Sequence, residues 1–219
     1  MTDTFIERLI ERHAKGLPGR KFQMAKAAIA RFDFFDAPPT ARQSAVLVLL
    51  FPKDGQWHVV LTERVGNVND PHSNQISFPG GSLEENDVSL ADCALRETHE
   101  EVGILPETVT IIGKMTDLYI PVSNFHVHPF LAWTDAPPQY ERQITEVKHV
   151  IEAPINVLQN AENHKRKDMT TTRLELKNVP YFDVNGKIVW GATAMMLSEL
   201  LEIIGSLNKN VASPSGEPV

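Results

Sequence analysis

A single cysteine, Cys93, stands in a chain of 219 residues, so no disulfide can form within it and a reducing compartment is the simpler setting. It falls in an apolar helical pattern and reads as filler rather than as a nucleophile. Positive charge is also scarce: 21 Lys and Arg face 28 Asp and Glu, for a net charge of −7. Broad binding to nucleic acid or to anionic membranes draws on an excess of Lys and Arg, so neither is expected as a partner. No stretch approaches the roughly 20 apolar residues of a membrane span. The run Thr4-Phe5-Ile6-Glu7-Arg8-Leu9-Ile10-Glu11-Arg12 mixes both signs of charge at helical spacing, unlike a secretory leader. No internal repeat is visible, and a cytoplasmic protein is the expectation.

What is present suits one globular domain with short extensions, since 42% of the residues are hydrophobic and 22% charged. The expected division is a helical extension over residues 1–41, the main domain over 42–207 and a disordered tail over 208–219. Two helices are predicted in the first 40 residues, closed by the breaker Ala37-Pro38-Pro39-Thr40. The nearly continuous Val and Leu run at 45–51 predicts a strand buried on both faces, and Lys53-Asp54-Gly55-Gln56 supplies a turn into a second strand at 57–63. Further strands are predicted at 109–114, 127–133 and 148–151, a hairpin about Asn185-Gly186, and a last amphipathic helix at 192–204. The polar connection at 152–172 reads as a long loop. Helices and strands interleave without βαβ regularity, so the fold class is α/β, a mixed sheet between helices.

The chemistry gathers on a helix predicted over 88–102. At about 100° per residue, Ala91, Ala94, Leu95, Thr98 and Val102 share one apolar stripe. Glu97 and Glu100 point away from it, while Glu101 lies at its edge and should be the least hydrated. Three carboxylates at i, i+3 and i+4 repel one another with no Lys on their face, and a hard divalent cation would relieve this. Arg96 lies four residues before Glu100 and is placed to orient it. These spacings alone leave a merely solvated acidic face as an equal reading. Upstream, Phe78-Pro79-Gly80-Gly81-Ser82 sets two glycines where backbone groups can turn toward a ligand. Asp87 or Ser89 offers the N-cap of the helix.

The stretch from Gly81 to Ile104, ending Arg96-Glu97-Thr98-His99-Glu100-Glu101-Val102-Gly103-Ile104, resembles the signature of the Nudix hydrolases. It departs from that pattern at the sixth residue after Gly81, which is Asp87 rather than Glu and is separated from Arg96 by eight residues rather than seven, and at Thr98, which fills an aliphatic position. The resemblance implies a Nudix-like α/β/α sandwich and a phosphoanhydride hydrolase using Mg²⁺ or Mn²⁺. Its metal ligands would be Glu97, Glu100, Glu101 and the Gly81 carbonyl. Catalytic roles would fall to Arg96, Glu100 and Glu101, with Glu146 as a later carboxylate serving as base or ligand.

A second set of segments is similar to the coenzyme A diphosphatase branch of that family: Leu61-Thr62-Glu63-Arg64, His72-Ser73-Asn74-Gln75-Ile76-Ser77-Phe78-Pro79-Gly80-Gly81, Tyr119-Ile120-Pro121-Val122-Ser123-Asn124-Phe125 and Val189-Trp190-Gly191-Ala192-Thr193-Ala194. This implies cleavage of coenzyme A to adenosine 3′,5′-bisphosphate and 4′-phosphopantetheine. Substrate contacts are then expected from Arg42, Arg64, His72, Gln75, Phe78 and Gly80, and Lys165-Arg166-Lys167 is a candidate for the 3′-phosphate. The alternatives are another Nudix substrate (ADP-ribose, NADH or a diadenosine polyphosphate) or a noncatalytic nucleotide sensor. Homodimers occur in the family, and the sequence leaves the oligomeric state open.

Overall fold

A strand that is apolar on every residue has to be covered on both faces, and this requirement organises the molecule. The structure, a computed structural model, describes residues 4–28, 36–66, 74–170 and 175–209. The elements run α1 (Thr4–Ala14), α2 (Arg20–Met24), β1 (Arg42–Lys53), β2 (Gln56–Arg64), β3 (Ile76–Ser77), β4 (Gly80–Ser82), α3 (Leu90–Val102), β5 (Thr110–Lys114), β6 (Leu118–Ile120), β7 (Phe125–Trp133), β8 (Val147–Pro154), α4 (Ile155–Gln159), β9 (His164–Thr170), β10 (Glu175–Val184), β11 (Lys187–Trp190) and α5 (Gly191–Lys209).

β1 lies at the centre of an eight-stranded sheet in the order β3-β2-β1-β7-β5, with β4 on β1, β6 on β7 and β8 on β2. β1 runs parallel to β7 and antiparallel to β2 and β4, so the sheet is mixed. Val48 and Leu50 point to one face, where Ile6 and Leu9 of α1 and Leu197, Leu200 and Ile204 of α5 complete a core. Leu47, Leu49 and Phe51 point to the other, against Cys93, Ala94 and Val102 of α3. A helix layer on each side of a mixed sheet is the expected sandwich.

β1 and β2 pair only near their turn, from Leu50↔Val59 to Lys53↔Gln56. Beyond that they part, and residues 76–82 fill the opening: β3 pairs with β2 at Thr62↔Ser77, and β4 with β1 at Ala45↔Gly81. The Gly-Gly segment is thereby inserted into the sheet itself. Gly80 must be glycine there, because its φ is +150° and a Cβ would stand 2.3 Å from the Ala45 carbonyl oxygen.

Over residues 152–170 the polar connection expected as a loop at 152–172 is instead built of regular elements, and residues 171–172 lie outside the described residues. Ile155 and Leu158 bury one side of α4, and β9 joins β10 and β11 in a second, three-stranded sheet. β9 carries no apolar alternation because nearly all its residues face solvent; its backbone pairing with β10, not a buried face, makes it a strand. The Asn185-Gly186 turn joins β10 to β11 as expected, both residues having positive φ. No helix among the described residues is long and apolar enough to cross a membrane.

Candidate active site

α3 begins at Ser89, whose hydroxyl accepts from the Asp92 amide, and ends at Gly103 in the left-handed conformation, donating to the His99 carbonyl. Ser89, not Asp87, is therefore the cap. Thr98, at a position where an aliphatic residue was expected, is buried with its hydroxyl bonded back to the Ala94 carbonyl at 2.7 Å, leaving its methyl to the core.

Asp87 has a different task. Its carboxylate takes Nε and Nη2 of Arg96, each at 2.9 Å, and the Glu84 amide at 2.8 Å. These bonds, led by those from Arg96, hold its pKa down to about 2. With that fork fixed, Nη1 of Arg96 reaches Glu97 at 3.1 Å and Glu100 at 3.0 Å, and Nη2 reaches the Ser82 carbonyl at 3.1 Å. One guanidinium thus ties the loop after β4 to two carboxylates of the helix.

Glu101 is the least hydrated of the three, as the helical wheel indicates: Glu100 is 56% exposed, Glu97 15% and Glu101 5%. Burial pushes Glu101 up to about 7, against the pull of Arg64 at 3.8 Å and the Gly80 amide at 3.3 Å, with Glu97 and Glu146 adding repulsion. Glu97 is likewise raised, chiefly by burial. Gly81 lies against the Glu97 carboxylate so closely that a Cβ would fall 2.4 Å from it.

Glu146 arrives by a route that leaves little trace in its own sequence. Gly103 gives passage to residues 141–146, whose Glu141 and Gln143 amides donate to the Val102 and Glu101 carbonyls at the end of α3. That docking brings Glu146, and also Gln143, to the cavity that the carboxylates line.

The cavity has a volume of about 720 Å³. Glu97, Glu100, Glu101, Glu146, Arg64, Gln75, Phe78, Gly80 and Gly81 all line it. Its apolar remainder is built from Ile120, Val122, Phe125, Leu176, Trp190 and Met196. Arg42 stands outside the lining: its guanidinium stacks 3.9 Å from the Phe125 ring centroid and donates to the Ser123 carbonyl, so it braces a wall of the cavity. His72 lies outside the described residues. Lys165, Arg166 and Lys167 also stand apart from the lining, because β9 turns them to the surface, Lys165 onto Asp183 and Arg166 onto the Asn178 carbonyl. Sequence reasoning had no signal for Gln143 or Leu176, which reach the cavity only through backbone docking and through the second sheet. Cys93 is buried beneath the glycine loop with its pKa raised to about 11 by that burial, which agrees with a packing role.

Desolvated, mutually repelling carboxylates beside a backbone that leaves them room form an oxygen donor set for a hard divalent cation. The fit is chemical: without a cation, burial favours the protonated form of Glu101.

Comparison with known proteins agrees with this geometry. A family model described as the NUDIX domain matches residues 41–172. The uncharacterized Nudix hydrolase NudL of Enterobacter sp. (strain 638) is 33% identical over 168 residues, which cover 75% of this chain and 83% of that protein. NudL of Cronobacter sakazakii (strain ATCC BAA-894) is 30% identical over 191 residues, 84% of this chain and 92% of that one. Among solved structures, the Nudix hydrolase RenU of M. smegmatis superposes with a TM-score of 0.51 at 14% identity, covering 81% of this chain and 91% of its own. A MutT/nudix family protein from Enterococcus faecalis gives 0.50 at 14% identity, over 94% and 76%. At that identity the structural likeness speaks for the fold.

Proposed function

This chain belongs to the Nudix hydrolases, metal-dependent enzymes of nucleotide diphosphates, and within that family we propose that it cleaves coenzyme A or a derivative to adenosine 3′,5′-bisphosphate and a 4′-phosphopantetheine moiety. One observation carries the reading. The segments that resemble the coenzyme A diphosphatases are spread between residues 61 and 194 of the chain, yet Arg64, Gln75, Phe78, Ile120, Phe125 and Trp190 from them all line one cavity. An ionic end and an apolar wall suit a substrate with a diphosphate at its centre and a long pantetheine arm.

Glu97, Glu100, Glu101 and the Gly81 carbonyl would hold Mg²⁺ or Mn²⁺. When bound, such ions neutralise diphosphate oxygens and make water a better nucleophile. Arg96 sets the orientation of Glu97 and Glu100. Arg64, beside Glu101 and in the cavity wall, meets a phosphate oxygen of the substrate. Among the described contacts Glu97, Glu100 and Glu101 are each tied to an arginine, whereas no such pairing involves Glu146. We therefore assign Glu146 to take the proton from the attacking water, leaving phosphorus to be attacked in line.

Product analysis tests this directly. Coenzyme A incubated with the protein and Mg²⁺ or Mn²⁺ should yield equal amounts of the two named products. Intact coenzyme A after prolonged incubation with active-site ions present would refute the substrate.

A further inference from the structure

On the α3 face of the sheet, two strands from the glycine loop, lies a second donor cluster that the hydrolase reading does not use. His126 and His128 stand two residues apart on β7, so both side chains project to one side, and their rings lie 4.2 Å apart between centroids. Asp117 enters just before β6, which pairs with β7 at Leu118↔Val127. One ligand atom from each of Asp117, His126 and His128 lies within 4.8 Å of the other two. Their face is opposite to that of Val127 and Val46, which line the cavity.

Hydrogen bonding fixes which nitrogen of His128 is free. The Gln43 amide donates through Nε2 to the Ala41 carbonyl at 3.1 Å, so its Oε1 is the atom facing His128 Nε2 at 2.7 Å. Nε2 of His128 must then carry the hydrogen, and Nδ1 the lone pair. That Nδ1 is buried and has no hydrogen-bond partner, in a residue only 5% exposed. A neutral imidazole with one nitrogen donating to an oxygen and the other left unsatisfied is the arrangement of a metal-ligating histidine with its outer partner in place.

We propose that Asp117, His126 and Nδ1 of His128 form a binding site for a zinc-class divalent ion, separate from the carboxylate site of α3, with Gln43 as the positioning residue of His128. Two imidazoles and a carboxylate are borderline donors that favour Zn²⁺ over Mg²⁺. Bonds of about 2.1 Å to a tetrahedral ion set donors about 3.4 Å apart, inside the 4.8 Å that bounds these ligand atoms. Asp117 is now held by His126 at 2.8 Å and approached by Lys114 at 3.7 Å. Lys114 is 43% exposed and withdraws to solvent when an ion takes its place. Because Gln43 sits on β1 and the ligands come from β7 and the entry to β6, the ion would clamp three segments at the end of the sheet that walls the cavity.

Calorimetric titration of the full chain with ZnCl₂ in millimolar Mg²⁺, which keeps the carboxylate site filled, tests the site. We expect one Zn²⁺ per chain, and a rise in Tm of about 5–10 °C at a hundredfold excess over Kd. His126→Ala and Asp117→Asn, both at partly exposed positions, should each weaken zinc binding at least tenfold with an unchanged circular dichroism spectrum, and Gln43→Ala should weaken it by about 10–100-fold. Glu97→Gln should bind zinc as the parent does. Absence of zinc binding in the parent, undiminished binding in His126→Ala and Asp117→Asn, or its loss in Glu97→Gln would each overturn the proposal.

Discussion

The guanidinium of Arg96 meets the Asp87 carboxylate fork to fork, with Nε on Oδ1 and Nη2 on Oδ2 both at 2.9 Å. Asp87 is only 3% exposed in its side chain, so its carboxylate is nearly dry, and the remaining Nη1 of Arg96 is aimed at Glu97 and Glu100. Asp87→Asn removes half of the fork. It is expected to cost about 1–3 kcal/mol of stability and to weaken Mg²⁺ activation by roughly 10–100-fold, as the loss of an orienting partner does. Thermal melting together with an activity titration in Mg²⁺ checks both; an unchanged metal requirement would separate Asp87 from the site.

Gly81→Ala inserts a Cβ where the Glu97 carboxylate now lies, 2.4 Å away. The side chain is the easier of the two to move, so the fold should survive while Glu97 is pushed out of place. Activity should fall on the order of 100-fold or more with a change in Tm of a few degrees at most. Full activity in this variant would remove Glu97 from the proposed ligand set.

Glu101 and Asp87 make opposite demands on pH. The folded-state pKa of Glu101, about 7, stands above its ordinary 4.5. In the metal-free protein its contribution is therefore fully present below 4.5 and is lost progressively as pH rises to about 7. Asp87, pulled from 3.8 to about 2, contributes above 3.8 and loses that contribution as pH falls toward 2. Mg²⁺ opposes the first loss by holding the carboxylate ionised. The gap in Tm between samples with and without Mg²⁺ should widen from pH 5 to roughly pH 7.5, and a gap independent of pH would contradict the assignment of Glu101 as a ligand.

Val122 is 40% exposed and lines the apolar part of the cavity. Val122→Asp should leave Tm nearly unchanged while raising KM for coenzyme A about tenfold, the cost of placing a charge beside a pantetheine arm. KM for ADP-ribose, which has no such arm, should move little. Equal shifts for both substrates would mean that this wall does not hold pantetheine.

The parts of this molecule that were legible beforehand are those with a local chemical cause. The fan of Glu97, Glu100 and Glu101 follows from helical period, the two-sided burial of β1 from its unbroken apolar run, and the turn at Asn185-Gly186 from the positive φ those residues tolerate. What stayed hidden depends on pairing across long separations. β9 is exposed along nearly its whole length and offers no period to read. Asp87 looked like a helix cap until the approach of Arg96, nine residues on, gave it a partner. The cluster of Asp117, His126 and His128 exists only because β6 lies on β7.

In the proposed reaction the carboxylates of α3 and the apolar wall opposite act together on coenzyme A. Its most direct test is kcat/KM for coenzyme A against ADP-ribose, NADH and a diadenosine polyphosphate, in Mg²⁺ and in Mn²⁺, for the parent protein and for Glu101→Gln. Coenzyme A should be favoured by at least about tenfold, and the variant should lose on the order of 100-fold or more. Cleavage of coenzyme A no faster than ADP-ribose, or activity retained in Glu101→Gln with metal present, would contradict it.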